Sequence, residues 1–525
     1  VTARRPTIAV VGAGIAGLAA AWELVTAPGR DGSAAPIVHV LESGRQTGGK
    51  LRSAEFDGRT VDLAADAFLA RRPEATELVD ELGVSDQLVP VGASGASIWS
   101  RGRLRSMPEG LNLGVPTRWW PLFRSGILSP AESLRVALDL VEPHRGLGAA
   151  MGDRSVGEIV GERLGRPVVD RLVDPLIGGI NAGGVDDLSA AAVMPVLIAV
   201  SHQSGSLMHR LGRVRPSGST PATVAAPSPV FWSLTDSTAS LATLLTEALL
   251  ARGVTIRTDR RVDAIERRRP TGRGHPRWHL SLYDSGAQDH ETHPGSGRGG
   301  GDPDRTPALE VDGVVLAVPA TEAAVLLAPH APVAAGILST IEYASVAVVT
   351  LSLPVGAVGA GLTGTGFLVP RSSTIDDRPA LMTGCTYLGR KWPHLARPGE
   401  ELIRVSVGRF GDRRHQELDD DELRASVAGE LSRIIGVSGS ATDSLVTRWD
   451  RAFPQYRVGH LIRVAQVEQE VAGLEGMAVA GAALRGVGIP ACIGSGRSAA
   501  RAVLDSVGGG SGVHGDRPDT TGAPR

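Results

Sequence analysis

The apolar positions of the chain change period several times, and each change marks an element. Thr7–Val11 is a short, largely β-branched run that predicts a buried strand. Residues 18–25 then carry apolar side chains at helical spacing, 27–36 is a polar loop, and Ile37–Leu41 returns as strand. Strand, glycine turn, helix and strand together read as the opening of a βαβ unit. From 76 to 232, helical patterns are broken by Pro and Gly and close on a loose stretch at 212–229. Residues 240–252 predict a helix, 254–266 strand, and 309–318 a buried strand followed by another helix. Between these, 270–276 and 285–307 are rich in Gly, Pro, Asp and His without apolar periodicity, and read as exposed insertions in a hairpin region. The tail 508–525 has the composition of a disordered segment, and no internal repeat is evident.

Composition narrows the classes. With 525 residues and 42% apolar positions, the chain buries a large core divided into about three domains. Its 54 basic and 56 acidic residues argue against a nucleic-acid binder. Two cysteines, Cys385 and Cys492, make neither a disulfide framework nor a zinc scaffold, so no metal site is expected and a reducing, cytoplasmic setting fits. The histidines His290 and His293 lack further spaced ligands, and the run 267–269 reads as a solvated face. No integral membrane span is expected: glycines punctuate 8–24, and 190–200 is short and contains Pro195. Peripheral membrane contact stays open.

The first candidate chemistry is a nucleotide site. Gly12-Ala13-Gly14-Ile15-Ala16-Gly17 lies between the first strand and the first helix. Such a turn needs one glycine for the bend, one for backbone approach to a pyrophosphate and one for helix–strand packing, while the helix N-terminus attracts the phosphates. Glu42, followed by Ser43, ends the second strand, where a carboxylate accepts a ribose hydroxyl and repels a 2′-phosphate. A competing phosphate loop, Gly44 to Lys50, lacks the following hydroxyl because residue 51 is Leu51.

The segment Gly48-Gly49-Lys50-Leu51-Arg52-Ser53 resembles the glycine-doublet stretch of the amine oxidase superfamily of FAD enzymes, with Gln46 where that superfamily usually has Arg. Further blocks resemble one branch of it, the protoporphyrinogen and coproporphyrinogen oxidases of Gram-positive and actinobacterial type. They are 61–69, with Ala64-Ala65 in place of Gly-Pro, 174–183 with Asp187-Leu188-Ser189, 342–349, 366–370, 391–394, 454–460 and 481–490.

The resemblance implies an α/β (α+β) chain with a Rossmann-like FAD-binding fold, a mixed-sheet substrate domain and a helical insertion. The expected FAD-binding pieces are 1–75, 233–320 and 447–507, the substrate domain 76–99 and 321–446, and the helical domain 100–232. It assigns FAD to the glycine turn, Glu42, Ser43, Gly49, Lys50, Ala64, Ala65, Asp66, Ala67, Val262, Trp449, Val487, Gly488 and Ile489. Arg71, Arg72 and Gly179 are the implied substrate contacts, the arginines for propionates and the glycine for close approach of the macrocycle. The implied reaction is oxidation of coproporphyrinogen III by dioxygen, with a downstream haem-pathway enzyme as the partner that collects the product. Protoporphyrinogen IX is the close alternative substrate. An amine or carotenoid oxidase, and a flavin-free binding protein on the same scaffold, are the more distant readings.

Overall fold

The computed structural model describes residues 4–27, 34–93, 95–141, 152–214, 229–268, 277–284, 305–359 and 362–508. Most of the expected insertions, His290 and His293, most of 212–229, Arg269 and the tail beyond 508 lie outside these residues.

A parallel sheet of five strands forms around β1 (Thr7–Val11), with β2 (Ile37–Leu41), β3 (Thr255–Arg257), β4 (Gly313–Leu316) and β5 (Met477–Val479) in the order β3-β2-β1-β4-β5. The period-two pattern of β1 serves two cores at once. Ile8 and Val10 pack with α1 (Ile15–Thr26), α2 (Ser240–Ala251) and α3 (Ile489–Gly508), whereas Ala9 and Val11 face the layer built on Trp278 and Leu280. α1 and α3 lie so close that a Cβ on Gly496 would sit 2.0 Å from the Ala16 carbonyl oxygen.

Two strands expected as single runs are each split between sheets. The run 254–266 breaks after Arg257 into β3 and the antiparallel strand Arg260–Arg268, with Asp259 at φ 53° in the corner. The run 309–318 breaks at Asp312, whose buried carboxylate accepts the Thr7 N–H at 2.8 Å and pairs with Arg4 at 2.8 Å. Periodicity alone sees continuous apolar strand in both places; the polar corner residue is what turns the chain. The helix expected at 18–25 begins earlier, at Ile15, directly after the glycine turn.

A second, mixed sheet has seven strands in the order Asp443–Pro454, Tyr343–Pro354, Glu400–Val407, Met382–Tyr387, Gly366–Leu368, Ser97–Ser100 and Arg103–Ser106. The hairpin formed by its last two strands crosses the expected domain boundary at residue 99, because cross-strand pairing from Ser97 to Ser106 carries both strands into this sheet. Between this hairpin and Phe231–Leu234 the described residues are mostly helical, around their own core of Ile159, Val169, Leu172 and Met208. Within that region Val169–Gly178 winds as a π-helix containing Pro175. The wide turn accommodates a proline that has no N–H to give. No helix among the described residues is long and apolar enough to cross a membrane.

Candidate active site

A cavity of about 790 Å3 opens between the parallel sheet, the seven-stranded sheet and the helical region. Its first end is the glycine turn. Gly12 has φ 98°, and a Cβ there would meet the Ala317 carbonyl oxygen at 2.5 Å; a Cβ on Gly17 would lie 1.9 Å from the Gly12 oxygen. The turn and the helix–strand contact therefore each exclude a side chain. Gly14 caps α1 without a side-chain hydrogen bond and has open space at its Cβ position, so the N–H groups of the first helical turn remain for a ligand. Gly14, Ile15 and Ala16 line the cavity.

Glu42 is held in place by its own chain. Its Oε2 accepts the Ala13 N–H at 2.7 Å and Oε1 the Gly44 N–H at 2.8 Å. Carboxylate oxygens accept more than one hydrogen bond each, so Glu42 keeps acceptor capacity toward the cavity it lines together with Ser43. The Gly48 N–H donates to the Ala13 oxygen at 2.8 Å, which ties the glycine doublet to the first turn. Val262 lines this end too, on a strand whose neighbouring cations are already neutralised: Arg260 by Asp284 at 2.6 Å and Arg261 by Asp263 at 2.7 Å.

The middle of the cavity brings together Gly49, Lys50, Ala64, Ala65, Trp449, Val487 and Ile489. Trp449 Nε1 donates to the Leu63 oxygen at 3.0 Å and so locks the indole against the 62–66 segment. Lys50 donates from Nζ to the Ala452 oxygen, and burial holds its pKa below the usual lysine value. Burial pushes the neighbouring Cys492 thiol up to about 11, with Lys50 opposing the shift. Helix α3 starts at Ile489, which sets its N-terminus at the cavity wall. Gly488 lies between two lining residues without lining the cavity itself.

Asp66 and Ala67 turn away from the cavity, unlike Ala64 and Ala65. The Asp66 carboxylate accepts Lys391 Nζ at 3.0 Å on both oxygens and Trp392 Nε1 at 3.0 Å, and it pairs with Arg404 at 3.1 Å. Burial alone would raise its pKa; Arg404, Lys391 and the Trp392 N–H overcome that and hold it well below the usual carboxylate range. Arg404 also donates to the carbonyl oxygens of Asp62 and Ala64, at 3.3 and 3.1 Å. A buried carboxylate requires such partners, and they lie behind the wall. Ala67 packs against a small core containing Phe56, Val61 and Trp392.

The far end of the cavity is shared by Asp174, Gly178, Gly179 and Gly183 of the helical region and by Val369, Thr383 and Arg409 of the mixed sheet. Gly179 has helical φ and ψ (−63°, −43°) and nothing within 4 Å of its Cβ position, so it faces open space rather than a packing partner. Arg71 and Arg72 do not line the cavity. Both are exposed, and Arg72 pairs with Glu74 at 2.7 Å beside the start of the helix Pro73–Glu81. The cation at this end is Arg409, which sequence reasoning missed. In so Arg-rich a chain its only signal is a glycine-arginine pair closing an apolar strand.

Over residues 15–504 the chain matches the flavin-containing amine oxidoreductase family. It is 34% identical to the coproporphyrinogen III oxidase of Propionibacterium freudenreichii subsp. freudenreichii, over 95% of this chain and 91% of that protein. It is 29% identical to the coproporphyrinogen III oxidase of Bacillus subtilis, over 94% and 96% of the two chains. A crystal structure from Exiguobacterium sp. 255-15, of a protein provisionally assigned as a protoporphyrinogen oxidase, superposes with a TM-score of 0.77 at 29% identity, covering 95% of this chain and 99% of that one. A cavity that joins a nucleotide turn to an internal chamber, and relatives that span nearly the whole chain, agree: the chain belongs to the flavin-containing amine oxidoreductase family and is a flavin-dependent oxidoreductase.

Proposed function

We propose that the flavin is FAD and that the enzyme oxidises coproporphyrinogen III to coproporphyrin III in haem biosynthesis, with dioxygen as acceptor. The observation that carries this reading is the continuity of one cavity, from a dinucleotide cradle at Gly12–Glu42 to a chamber floored by Gly178 and Gly179. The cradle fits a dinucleotide. Gly14 and Gly481 both have open space where a Cβ would stand, Glu42 is positioned for a ribose hydroxyl, and the uncapped start of α1 suits a pyrophosphate. The start of α3 offers a second set of N–H groups where negative charge grows on reduction. FAD bound there supplies a two-electron acceptor that dioxygen restores.

Three such cycles remove six electrons and six protons from the porphyrinogen, so three dioxygen molecules leave as hydrogen peroxide. The chain's own residues orient and enclose. Trp449, fixed through Leu63, and Ala64-Ala65 form one wall of the cavity. Gly178 and Gly179 present backbone without side chains, which lets a flat ring approach closely. Lys50 sets an amino group in the middle of the cavity, held by the Ala452 oxygen, and burial lowers its pKa.

Protoporphyrinogen IX is the second reading, favoured by the name given to the Exiguobacterium protein. The test is an aerobic assay of the FAD-loaded protein with each porphyrinogen, followed by porphyrin fluorescence and peroxide release. Three peroxides per coproporphyrin, and a higher kcat/KM for coproporphyrinogen III, are expected. Turnover of neither substrate overturns the proposal; a clear preference for protoporphyrinogen IX overturns the choice of substrate.

A further inference from the structure

The far end of the cavity carries an unmatched positive charge, and its origin is local. The chain leaves the strand Glu400–Val407 at Gly408, where φ is 87° and a Cβ would stand 2.5 Å from the His415 ring. Only glycine makes that bend, and it delivers Arg409 into the cavity lining. The turn is clamped from the other side, because the Phe410 N–H donates to the Ala182 oxygen of the helical region at 2.6 Å. Arg409 thus sits where two parts of the molecule meet.

Its partners are few. The one hydrogen bond its side chain makes among the described residues runs from Nη2 to the Val369 oxygen at 3.5 Å, the outer limit for such a bond. Asp412, three residues on, is taken by Arg414 at 2.6 Å. The nearby Arg371 guanidinium lies 4.0 Å from Asp174, the carboxylate lining this end, and Asp174 also accepts the Val185 N–H at 3.2 Å. Two guanidiniums therefore share one carboxylate. Burial lowers the Arg409 pKa, with Arg371 adding to the shift, and burial raises that of Asp174 against the pull of both arginines. A desolvated cation with so little compensation calls for an anion from outside the chain.

We propose that Arg409 is the specificity-determining cation of the substrate site, receiving a propionate carboxylate of the porphyrinogen, with Arg371 as a second donor at the edge. This rests on the reading of the protein as a porphyrinogen oxidase. It moves propionate recognition from the exposed Arg71–Arg72 pair to a residue inside the cavity. A guanidinium suits the task because its planar donors match both carboxylate oxygens.

The test uses the FAD-loaded enzyme and its Arg409→Met and Arg409→Lys variants. Affinity for coproporphyrin III and for its uncharged tetramethyl ester is read by tryptophan-fluorescence quenching, and KM and kcat for coproporphyrinogen III are measured beside it. In Arg409→Met, affinity for the acid falls and KM rises by roughly ten- to a hundredfold, the scale of a lost charge-assisted hydrogen bond. The ester binds parent and variant alike, the flavin spectrum is unchanged, and Arg409→Lys recovers part of the loss. Equal affinity of parent and Arg409→Met for coproporphyrin III overturns the proposal. So does loss of flavin in both variants, which would make Arg409 a structural residue. Inactivity of the parent on both porphyrinogens is a different failure: it sinks the functional reading, and this assignment with it.

Discussion

Replacing Asp66 by Asn is expected to cost stability on a scale that the geometry sets. The Asp66 carboxylate is the shared anion of two cations, 3.0 Å from Lys391 and 3.1 Å from Arg404, and it is 7% exposed. Asparagine keeps the shape and one acceptor but leaves both cations without an anion. Breaking a buried pair by removing one partner costs about 3–5 kcal/mol. Lys391 is 17% exposed and recovers part of that from water, which brings the expected loss to about 3 kcal/mol. Against a typical stability of about 5–15 kcal/mol that is a large fraction. The pH dependence has a definite sign. The folded pKa of Asp66 lies below its unfolded value of 3.8, so its stabilisation is present above that value and is lost as pH falls through the folded pKa. Because Asp66 also helps raise the pKa of Asp62 to about 7, the difference between parent and variant is read near about pH 5, above both pKa values of Asp66 and below that titration. Urea unfolding at this pH followed by tryptophan fluorescence provides the measurement. A loss below about 1 kcal/mol, the ordinary cost of a neutral hydrogen bond, would refute the shared-anion account.

Asp62, four residues earlier, should behave in the opposite way. Burial, reinforced by Asp66, raises its pKa from 3.8 to about 7, so its ionisation opposes folding as pH climbs through that range; Asp62→Asn should gain stability relative to the parent between pH 5 and 8, and a flat difference would contradict this. Glu42→Ala removes the acceptor for a ribose hydroxyl and should weaken flavin binding by about 1.5–3 kcal/mol, read by fluorescence titration of the apoprotein; unchanged affinity would remove Glu42 from the cradle. Gly179→Leu places a side chain in open cavity without disturbing a helical backbone, so KM for porphyrinogen should rise at least tenfold with flavin content and unfolding midpoint unchanged, whereas unaltered kinetics would take Gly179 off the substrate path.

The nucleotide end was the most legible part of the chain, because its demands are local. Gly17 is required by a backbone contact with Gly12, Gly12 by its positive φ, and Gly14 by the open space it leaves beside the helix start, while Glu42 is held by two nearby N–H groups. The strands split at Asp259 and Asp312 were less legible, since an apolar period does not record which sheet a strand joins. Asp66 shows the limit of carrying a motif over as a block. Its neighbours Ala64 and Ala65 line the cavity, while its own charge is answered by Lys391 and Arg404, more than 320 residues away in sequence. Arg409 was invisible for the same reason: its place depends on a turn at Gly408 and a clamp from Ala182, neither of which has a local signature.

The parallel sheet draws its five strands from residues 7, 37, 255, 313 and 477 onward, and α3, which begins at Ile489, both packs on α1 and walls the cavity. α1 thus waits for a helix made several hundred residues later before its apolar face is covered. Such long-range closure is slow and leaves hydrophobic surface uncovered in the interim. It also makes the ribosome a timer for the cofactor. A nascent chain that has not yet released Ile489 has the glycine turn but not the opposite wall, so a chain truncated there is expected to hold flavin weakly. Loading then reports that synthesis has passed α3.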